Sequence, residues 1–355
     1  MSNDEFEFLT GQPGNNHKSS ADNEFDRTDM VHISSNIPPS YNDVGLASSG
    51  PSKSDFFKRP NDKQHSLWVH CLCVVTFDIE FGQCVESIYP ENALNEQERL
   101  ALSYSSFPDS NSCINDEAQY YFRTKVSSPN CSMSSSFEKF NASSPPAIHV
   151  DKDVAYGFVY FLQKRDRTAK RGYFQKSLLI ISRLPFVKLF NHFVTEIGIK
   201  FFSESQTDDD IITLENIYHE FNQWPPLVTG TPLILSILNT SVSFYIPSRE
   251  DKLINFQPRP KNKSPGPKFA HPMPLVPPST CLTAYDMNLY SCFESVISDL
   301  QLLWEMVLTC EPLIIMAPTP KMCSEFVQGL VSLIWPYKCY DYRPCEYIPP
   351  QSKLN

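Results

Sequence analysis

Few side chains in this sequence have the types and spacing that chemistry requires. The eight histidines stand at positions 17, 32, 65, 70, 149, 192, 219 and 271, and no two have the spacing of metal ligands. His70 falls in an apolar run and His192 in an amphipathic segment, so we interpret both as structural or solvent-facing. Cys71 and Cys73 are two residues apart and share one face of a predicted strand. Parallel side chains suit neither a disulfide nor a closed zinc site, so core packing is favoured over a redox pair.

Catalytic signatures are missing as well. The chain has no GxGxxG, P-loop, GxSxG or HExxH pattern. We therefore expect no covalent enzyme activity, no catalytic residue, no metal and no cofactor.

Composition excludes further classes of protein. The 355 residues include 30 Lys+Arg and 40 Asp+Glu, a formal charge of −10, with no basic block of the kind that binds nucleic acid. No apolar stretch reaches the roughly 18 residues of a membrane span, and the acidic start has no secretory signal. The eleven cysteines form no CxxC pair, which is typical of reduced cytosolic thiols.

A basic segment over 164–172 is the first candidate binding site. It joins two predicted strands, so it is predicted to be an exposed turn that contacts an acidic partner or a membrane surface. A merely solvated hairpin is the alternative. The candidate residues are Lys164, Arg165, Arg167, Lys170 and Arg171.

A second candidate is the PPxY ligand of WW domains, formed by Pro38, Pro39 and Tyr41. Such ligands bind as polyproline-II segments, which a polar tail would leave accessible. A chance match of four residues is the alternative.

Three stretches are predicted to be too polar to fold. Residues 1–66 form a disordered tail, because they bury too little apolar surface to offset their ordering entropy. Residues 127–153 hold eight serines, and 251–282 hold eight prolines. The second stretch is interpreted as a Ser-rich insert and the third as a Pro-rich linker.

The first ordered block, 67–205, is predicted to be an antiparallel α+β module with the order ββαβββα. Asn95 and Glu98 have the spacing of a capping box and start its first helix. The strands are predicted at 67–77, 83–89, 120–126, 154–162 and 173–183, and the second helix at 186–202. In the connecting region 206–282 we predict a helix over 211–221 and strands over 233–238 and 241–246.

The last block, 283–355, is predicted to be the beginning of an α/β domain. Asp286 caps one long helix that runs to 309. The apolar run 313–317 is predicted to be a strand buried on both faces of a parallel sheet. Thr319 and Pro320 then start a helix that runs to 334.

Four separated segments resemble DENN-domain proteins, in particular subfamily six. They are VHCLCVVTFDIEFGQCVESIYP at 69–90, SYSSFPDSNS at 103–112, YGFVYFLQKRDRTAKRGYFQKSLLIISRLPFVKLF at 156–190 and LLWEMVLTCEPLIIMAPTPKMCSEFVQGLVSLIWP at 302–336. The resemblance implies a longin-like N-terminal module, followed here by an incomplete α/β central module. Residues 345–355 do not look like the family's continuation, so a fragment or short isoform with reduced activity is expected.

The resemblance also implies a function. DENN proteins are guanine-nucleotide exchange factors that release GDP from Rab GTPases, and subfamily six is associated with recycling endosomes. The implied protein is cytoplasmic, contacts the endosomal membrane peripherally and acts by differential binding rather than covalent chemistry. The alternative is a trafficking adaptor that binds a Rab GTPase or a WW-domain protein without promoting exchange.

Overall fold

The computed structural model describes residues 67–108, 116–125, 133–168, 172–203, 212–251, 280–284 and 287–344, together with the backbone of 7–9. All of these residues belong to one unit, formed by 1–10 and 65–355. The predicted tail over 1–66, apart from 7–9, and the linker over 252–279 lie outside the described residues.

The chain forms ten strands and seven α-helices in its described parts. Strands β1 to β10 are Glu7–Leu9, Cys71–Asp78, Gly82–Tyr89, Asp116–Lys125, Val154–Arg165, Tyr173–Ser182, Pro232–Ile237, Thr240–Tyr245, Thr280–Thr283 and Ile314–Met316. Helices α1 to α7 are Glu96–Ser105, Ser135–Ser143, Val187–Phe201, Leu214–Asn222, Leu289–Phe293, Leu300–Leu308 and Pro320–Ser332. Short 3-10 helices cover Pro146–Ile148 and Glu294–Asp299.

Five of the strands form an antiparallel sheet in the order β3-β2-β6-β5-β4. Alternate residues of a strand face opposite sides, so Cys71, Cys73 and Val75 join one core with Leu102 of α1. Leu72 and Val74 of β2 belong to the other core, which α3 covers. Helices therefore lie on both faces of the sheet. The predicted fold class, an antiparallel sheet with packed helices, is confirmed.

The helix predicted from the capping box is also confirmed. Asn95 caps α1 by accepting a hydrogen bond from the Glu98 backbone N–H, and the Glu98 carboxylate accepts one from the Asn95 N–H. The strands and helices predicted between 67 and 202 are all present, within a few residues of their predicted ends.

Residues 133–150 correct the prediction that the whole Ser-rich stretch 127–153 does not fold. Ser134 caps α2, and Phe137 and Phe140 on this helix are buried in the main core. One serine caps the helix, and the other serines lie around the two buried phenylalanines. Serine content alone therefore gave a wrong prediction for these residues. Residues 126–132 lie outside the described residues.

A smaller sheet follows in the order β7-β8-β9. Strands β7 and β8 correspond to the two predicted strands and pair antiparallel, and β9 pairs with β8 in parallel. Leu235, Phe244 and Leu282 of these strands lie in the main core. The last three residues of the predicted linker, 280–282, are therefore part of a strand.

The predicted long helix over 286–309 is wrong, because the structure divides it. Asn288 caps α5, and the backbone leaves helical geometry at Val296, where φ is −130°. The break falls within Glu294–Asp299, where serine, β-branched residues and aspartate follow one another, and all of these have low helix propensity. Helix α7, in contrast, begins as predicted, with Thr319 as its cap and Pro320 in its first turn.

Strand β10 corrects the prediction of a strand buried on both faces of a parallel sheet. It has three residues, pairs antiparallel with β1, and leaves Ile314 60% exposed. Ile315 and Leu313 pack on a small core formed by α5, α6 and α7. Among the described residues, only the side of the strand that carries Ile315 contacts a core. Ile314 and Met316, on the opposite side, are therefore exposed.

Candidate interaction surfaces

The described residues contain no group of three or more His, Cys, Asp or Glu side chains that could hold a metal ion. Cys71 and Cys73 are fully buried, with their sulfur atoms 3.9 Å apart. Burial raises the pKa of the Cys71 thiol well above its ordinary value, which keeps it protonated and unreactive. Both are free thiols packed in the core, as predicted.

His70 and His192, the two histidines considered in the sequence analysis, each lie against the folded protein. The His70 Nε2 atom lies 3.0 Å from the Ala93 carbonyl oxygen and fixes the turn after β3. His192 lies on α3, where desolvation lowers its pKa and its Nε2 atom is buried without a hydrogen-bond partner. Neither belongs to a candidate metal cluster within the described residues.

The basic segment lies between β5 and β6, as predicted, and its residues 169–171 lie outside the described residues. Arg165 pairs with Tyr173 in the sheet, and the Asp166 N–H donates to the Gly172 carbonyl at 2.9 Å. Arg165 and Arg167 are exposed, and Lys164 is half-buried. Lys170 and Arg171 lie outside the described residues, as do Pro38, Pro39 and Tyr41 of the PPxY motif.

A cluster of buried polar groups links the sheet to the C-terminal segment. Arg123, on edge strand β4, donates from Nη1 to the Tyr342 carbonyl at 2.8 Å and stacks on the Tyr342 ring at 4.1 Å. Lys338 donates to the His149 carbonyl at 2.9 Å and to the Asp151 carboxylate at 2.6 Å. We call Arg123, Asp151, Lys338 and Tyr342 the junction cluster.

The charges of the junction cluster are unequal. The Arg123 and Lys338 side chains are 8% and 7% exposed, and both approach the single carboxylate of Asp151, Arg123 at 4.0 Å. The carbonyls of Tyr340, Tyr342 and His149 supply further acceptors, while the buried Arg123 Nε atom has no hydrogen-bond partner. Burial raises the pKa of the Tyr342 hydroxyl well above its ordinary value, so this ring stays neutral beside Arg123. The cluster can hold the segment after α7 in a fixed position on the sheet.

Helix α7 reinforces this junction. The Tyr121 hydroxyl of β4 donates to the Gln328 side-chain oxygen at 2.7 Å, and the Ala147 N–H donates to the Pro336 carbonyl at 3.0 Å. Tyr337 and Tyr340 of the same segment are exposed. The junction therefore combines a fixed backbone with exposed aromatic rings, which are favoured at protein interfaces.

The C-terminal block also exposes large apolar side chains. Only Leu303 of α6 is fully buried, while apolar residues occupy most of the helix circumference. The exposed apolar residues of α6, β10 and the preceding 3-10 helix are Ile297, Leu302, Trp304, Leu308, Ile314 and Met316. Surfaces of this kind bind other protein segments.

The junction cluster was not predicted from the sequence. One signal was present: Arg123 shares its face of β4 with Tyr121, two residues earlier, and Tyr121 lies in the main core. A charged residue beside the core needs a partner, but the Tyr340 and Tyr342 carbonyls that accept from Arg123 are more than 200 positions away. Periodicity and local spacing do not identify such distant residues.

Comparison with known proteins shows which family this chain resembles. Residues 69–230 match the family described as Transport protein Avl9. Protein DENND6A of Gallus gallus is 39% identical over 282 residues, which are 79% of this chain and 46% of that protein. Protein DENND6B of Homo sapiens is 35% identical over 305 residues, 84% of this chain and 50% of that protein. The chain spans about half the length of the curated relatives it matches.

A more distant relative shows the same pattern. The Protein DENND6 homolog of Dictyostelium discoideum is 28% identical over 344 residues, which are 88% of this chain and 44% of that protein. The similarity therefore covers between 79% and 88% of the chain in these relatives. Three of the four segments that carried the resemblance, 69–90, 103–112 and 156–190, lie within the residues that match the Avl9 family, 69–230.

Proposed function

The chain belongs to the DENN family and resembles its subfamily six, and on this basis we propose that it promotes the release of GDP from a Rab GTPase in membrane trafficking. The similarity over about four-fifths of the chain is the observation that carries the proposal. The finer proposal places this activity at recycling endosomes, in a cytoplasmic protein that contacts the membrane peripherally. A WW-domain protein is a second proposed partner, through Pro38, Pro39 and Tyr41.

The proposed mechanism is differential binding. An exchange factor binds the nucleotide-free GTPase more tightly than the GDP-bound form, and by linkage this preference speeds GDP dissociation. The factor must contact the switch loops that hold Mg²⁺ and phosphate and move them out of position. No covalent bond breaks, and no cofactor is required.

We propose that the GTPase binds beside the junction cluster. The resemblance implies that the GTPase lies across the N-terminal and central modules, so their relative position must be fixed before it binds. Arg123 and Lys338 supply such a fixed connection between the sheet and the C-terminal block. A rigid, preorganised surface reduces the entropy lost on binding and strengthens the preference for one GTPase state.

A nucleotide-release assay tests the proposal. The purified chain is added at substoichiometric amounts to a panel of Rab GTPases loaded with fluorescent GDP. Accelerated release from at least one GTPase is expected, together with preferential binding to its nucleotide-free form. Binding only to GTP-loaded GTPase, with release unchanged, would instead identify a trafficking adaptor and refute the exchange activity.

A further inference from the structure

The turn between β2 and β3 holds two large apolar side chains in solvent. Phe81 is 81% exposed and Ile79 is 57% exposed. The Asp78 carboxylate accepts hydrogen bonds from the Glu80 N–H at 2.7 Å and the Phe81 N–H at 3.1 Å. Gly82 completes the turn with a φ of +78°. The turn is therefore built by specific contacts that leave both apolar side chains outside.

The basic turn lies at the same end of the sheet. Strands β2 and β6 are neighbours, and Thr76 near the end of β2 pairs with Lys176 near the start of β6. Arg165, at the end of β5, pairs with Tyr173 at the start of β6. Both turns therefore leave the sheet side by side. We call Ile79, Phe81, Arg165 and Arg167 the sheet-end surface.

The acidic groups near this surface are mostly engaged in the turns themselves. Asp78 caps two N–H groups, and the Asp166 carboxylate accepts from the Thr168 N–H at 2.8 Å and from its hydroxyl at 2.6 Å. Glu86 is paired with Lys176 at 2.7 Å. Hydrogen bonds from neutral groups do not cancel the charge of Asp78 and Asp166, so these two carboxylates and that of the exposed Glu80 oppose an anionic ligand.

We propose that the sheet-end surface binds an anionic lipid bilayer, with Ile79 and Phe81 entering the headgroup region and Arg165 and Arg167 contacting lipid phosphates. Apolar side chains beside basic ones give the combination by which peripheral proteins bind membranes. This inference does not depend on exchange activity.

Vesicle co-flotation of the full chain tests the proposal. Phosphatidylcholine vesicles with phosphatidylserine should bind the protein more tightly than phosphatidylcholine vesicles alone. Phe81→Ser should weaken binding about tenfold, because the variant lacks the aromatic ring that would otherwise be buried in the bilayer. Ile79→Ser should weaken it less. Leu100→Ser is the control, because Leu100 is 56% exposed, close to the 57% of Ile79, but lies on α1.

The charges give two opposite expectations. Combined Arg165→Glu and Arg167→Glu should lower binding to the phosphatidylserine vesicles at least about tenfold, because each basic group near such a surface contributes about 1 kcal/mol. Glu80→Lys should raise binding. Thermal melting of each variant verifies that the fold is retained.

Three results would overturn the proposal. The first is no binding of the wild-type chain to phosphatidylserine vesicles. The second is an equal effect of Phe81→Ser and Leu100→Ser. The third is loss of GTPase binding by Phe81→Ser with vesicle binding unchanged, which would assign the surface to a protein partner. In the last case the proposed exchange function would stand.

Discussion

Lys338 and Asp151, 187 positions apart, form an ion pair of 2.6 Å in which the lysine side chain is almost completely buried. The pair closes the contact between the segment after α7 and the residues before β5. Charge-assisted hydrogen bonds of this kind are stronger than neutral ones and require exact positioning. The C-terminal segment is thus fixed by directed polar contacts, whereas the sheet and α3 are joined by apolar packing.

Replacing Lys338 by methionine should lower the free energy of unfolding by about 1–3 kcal/mol. Asp151 is partly exposed and keeps Arg123 nearby at 4.0 Å, so the loss should be smaller than for a fully buried pair. Urea denaturation measures the change, and limited proteolysis should cut after α7 more rapidly. Lys321→Met, at an exposed position of α7, is the control and should change little. Equal effects of the two substitutions would show that the ion pair does not stabilise the fold.

Gly198→Ala should destabilise the protein although alanine favours helices by about 1 kcal/mol over glycine. A Cβ atom at Gly198 would lie 2.1 Å from Cδ1 of Tyr160, where α3 packs on β5. Overpacking a core typically costs about 1–3 kcal/mol, so the clash should outweigh the helix preference. Thermal denaturation gives the sign. Ile199→Ala, at an exposed position of the same helix, provides the comparison; a more stable Gly198→Ala protein would refute the predicted clash.

Local features of the fold could be predicted from the sequence. The Asn95–Glu98 capping box and the helical spacing of α3 each depend on residues a few positions apart. The same is true of Thr319 and Pro320 at the start of α7. These features can be predicted because they depend on the spacing of nearby residues in the sequence, which tertiary contacts do not change.

Features that depend on distant partners could not be predicted in this way. Ile314 was expected to be buried, but burial requires an element on that side of β10, and the described residues place none there. Arg123 is one charged position in β4, and the Tyr340 and Tyr342 carbonyls that accept its hydrogen bonds lie more than 200 positions further along the chain. The sheet-end surface likewise required strand register, because Phe81 and Arg167 are 86 positions apart in the sequence.

His192 should make stability depend on pH on the acidic side of neutrality. Its pKa is lowered by desolvation, with Lys188 lowering it further and Glu196 opposing the shift. A depressed histidine pKa means that the unfolded chain binds the proton more readily. Its contribution is therefore present above the ordinary histidine pKa of about 6.5 and is lost as the pH falls through the folded value.

Urea midpoints between pH 7.5 and 5 would measure this dependence. His192→Gln removes the titrating group while keeping a polar side chain, and it should flatten the profile in that range. His219→Gln is the comparison, since His219 is exposed beside Glu215 on α4. If wild type and His192→Gln have parallel profiles, the pH dependence has another source.

The last prediction compares one substitution at two phenylalanines with opposite surroundings. Phe140 of α2 is 2% exposed and lies in the main core, whereas Phe81 is 81% exposed. Phe140→Ala should cost about 3–5 kcal/mol, because it leaves a cavity in a packed interior. Phe81→Ala removes the same atoms from solvent and should change stability by less than about 0.5 kcal/mol. Urea denaturation of both variants would test whether residues 133–150 belong to the folded core despite their serine content. Equal, small effects would instead support the original expectation that this stretch does not fold.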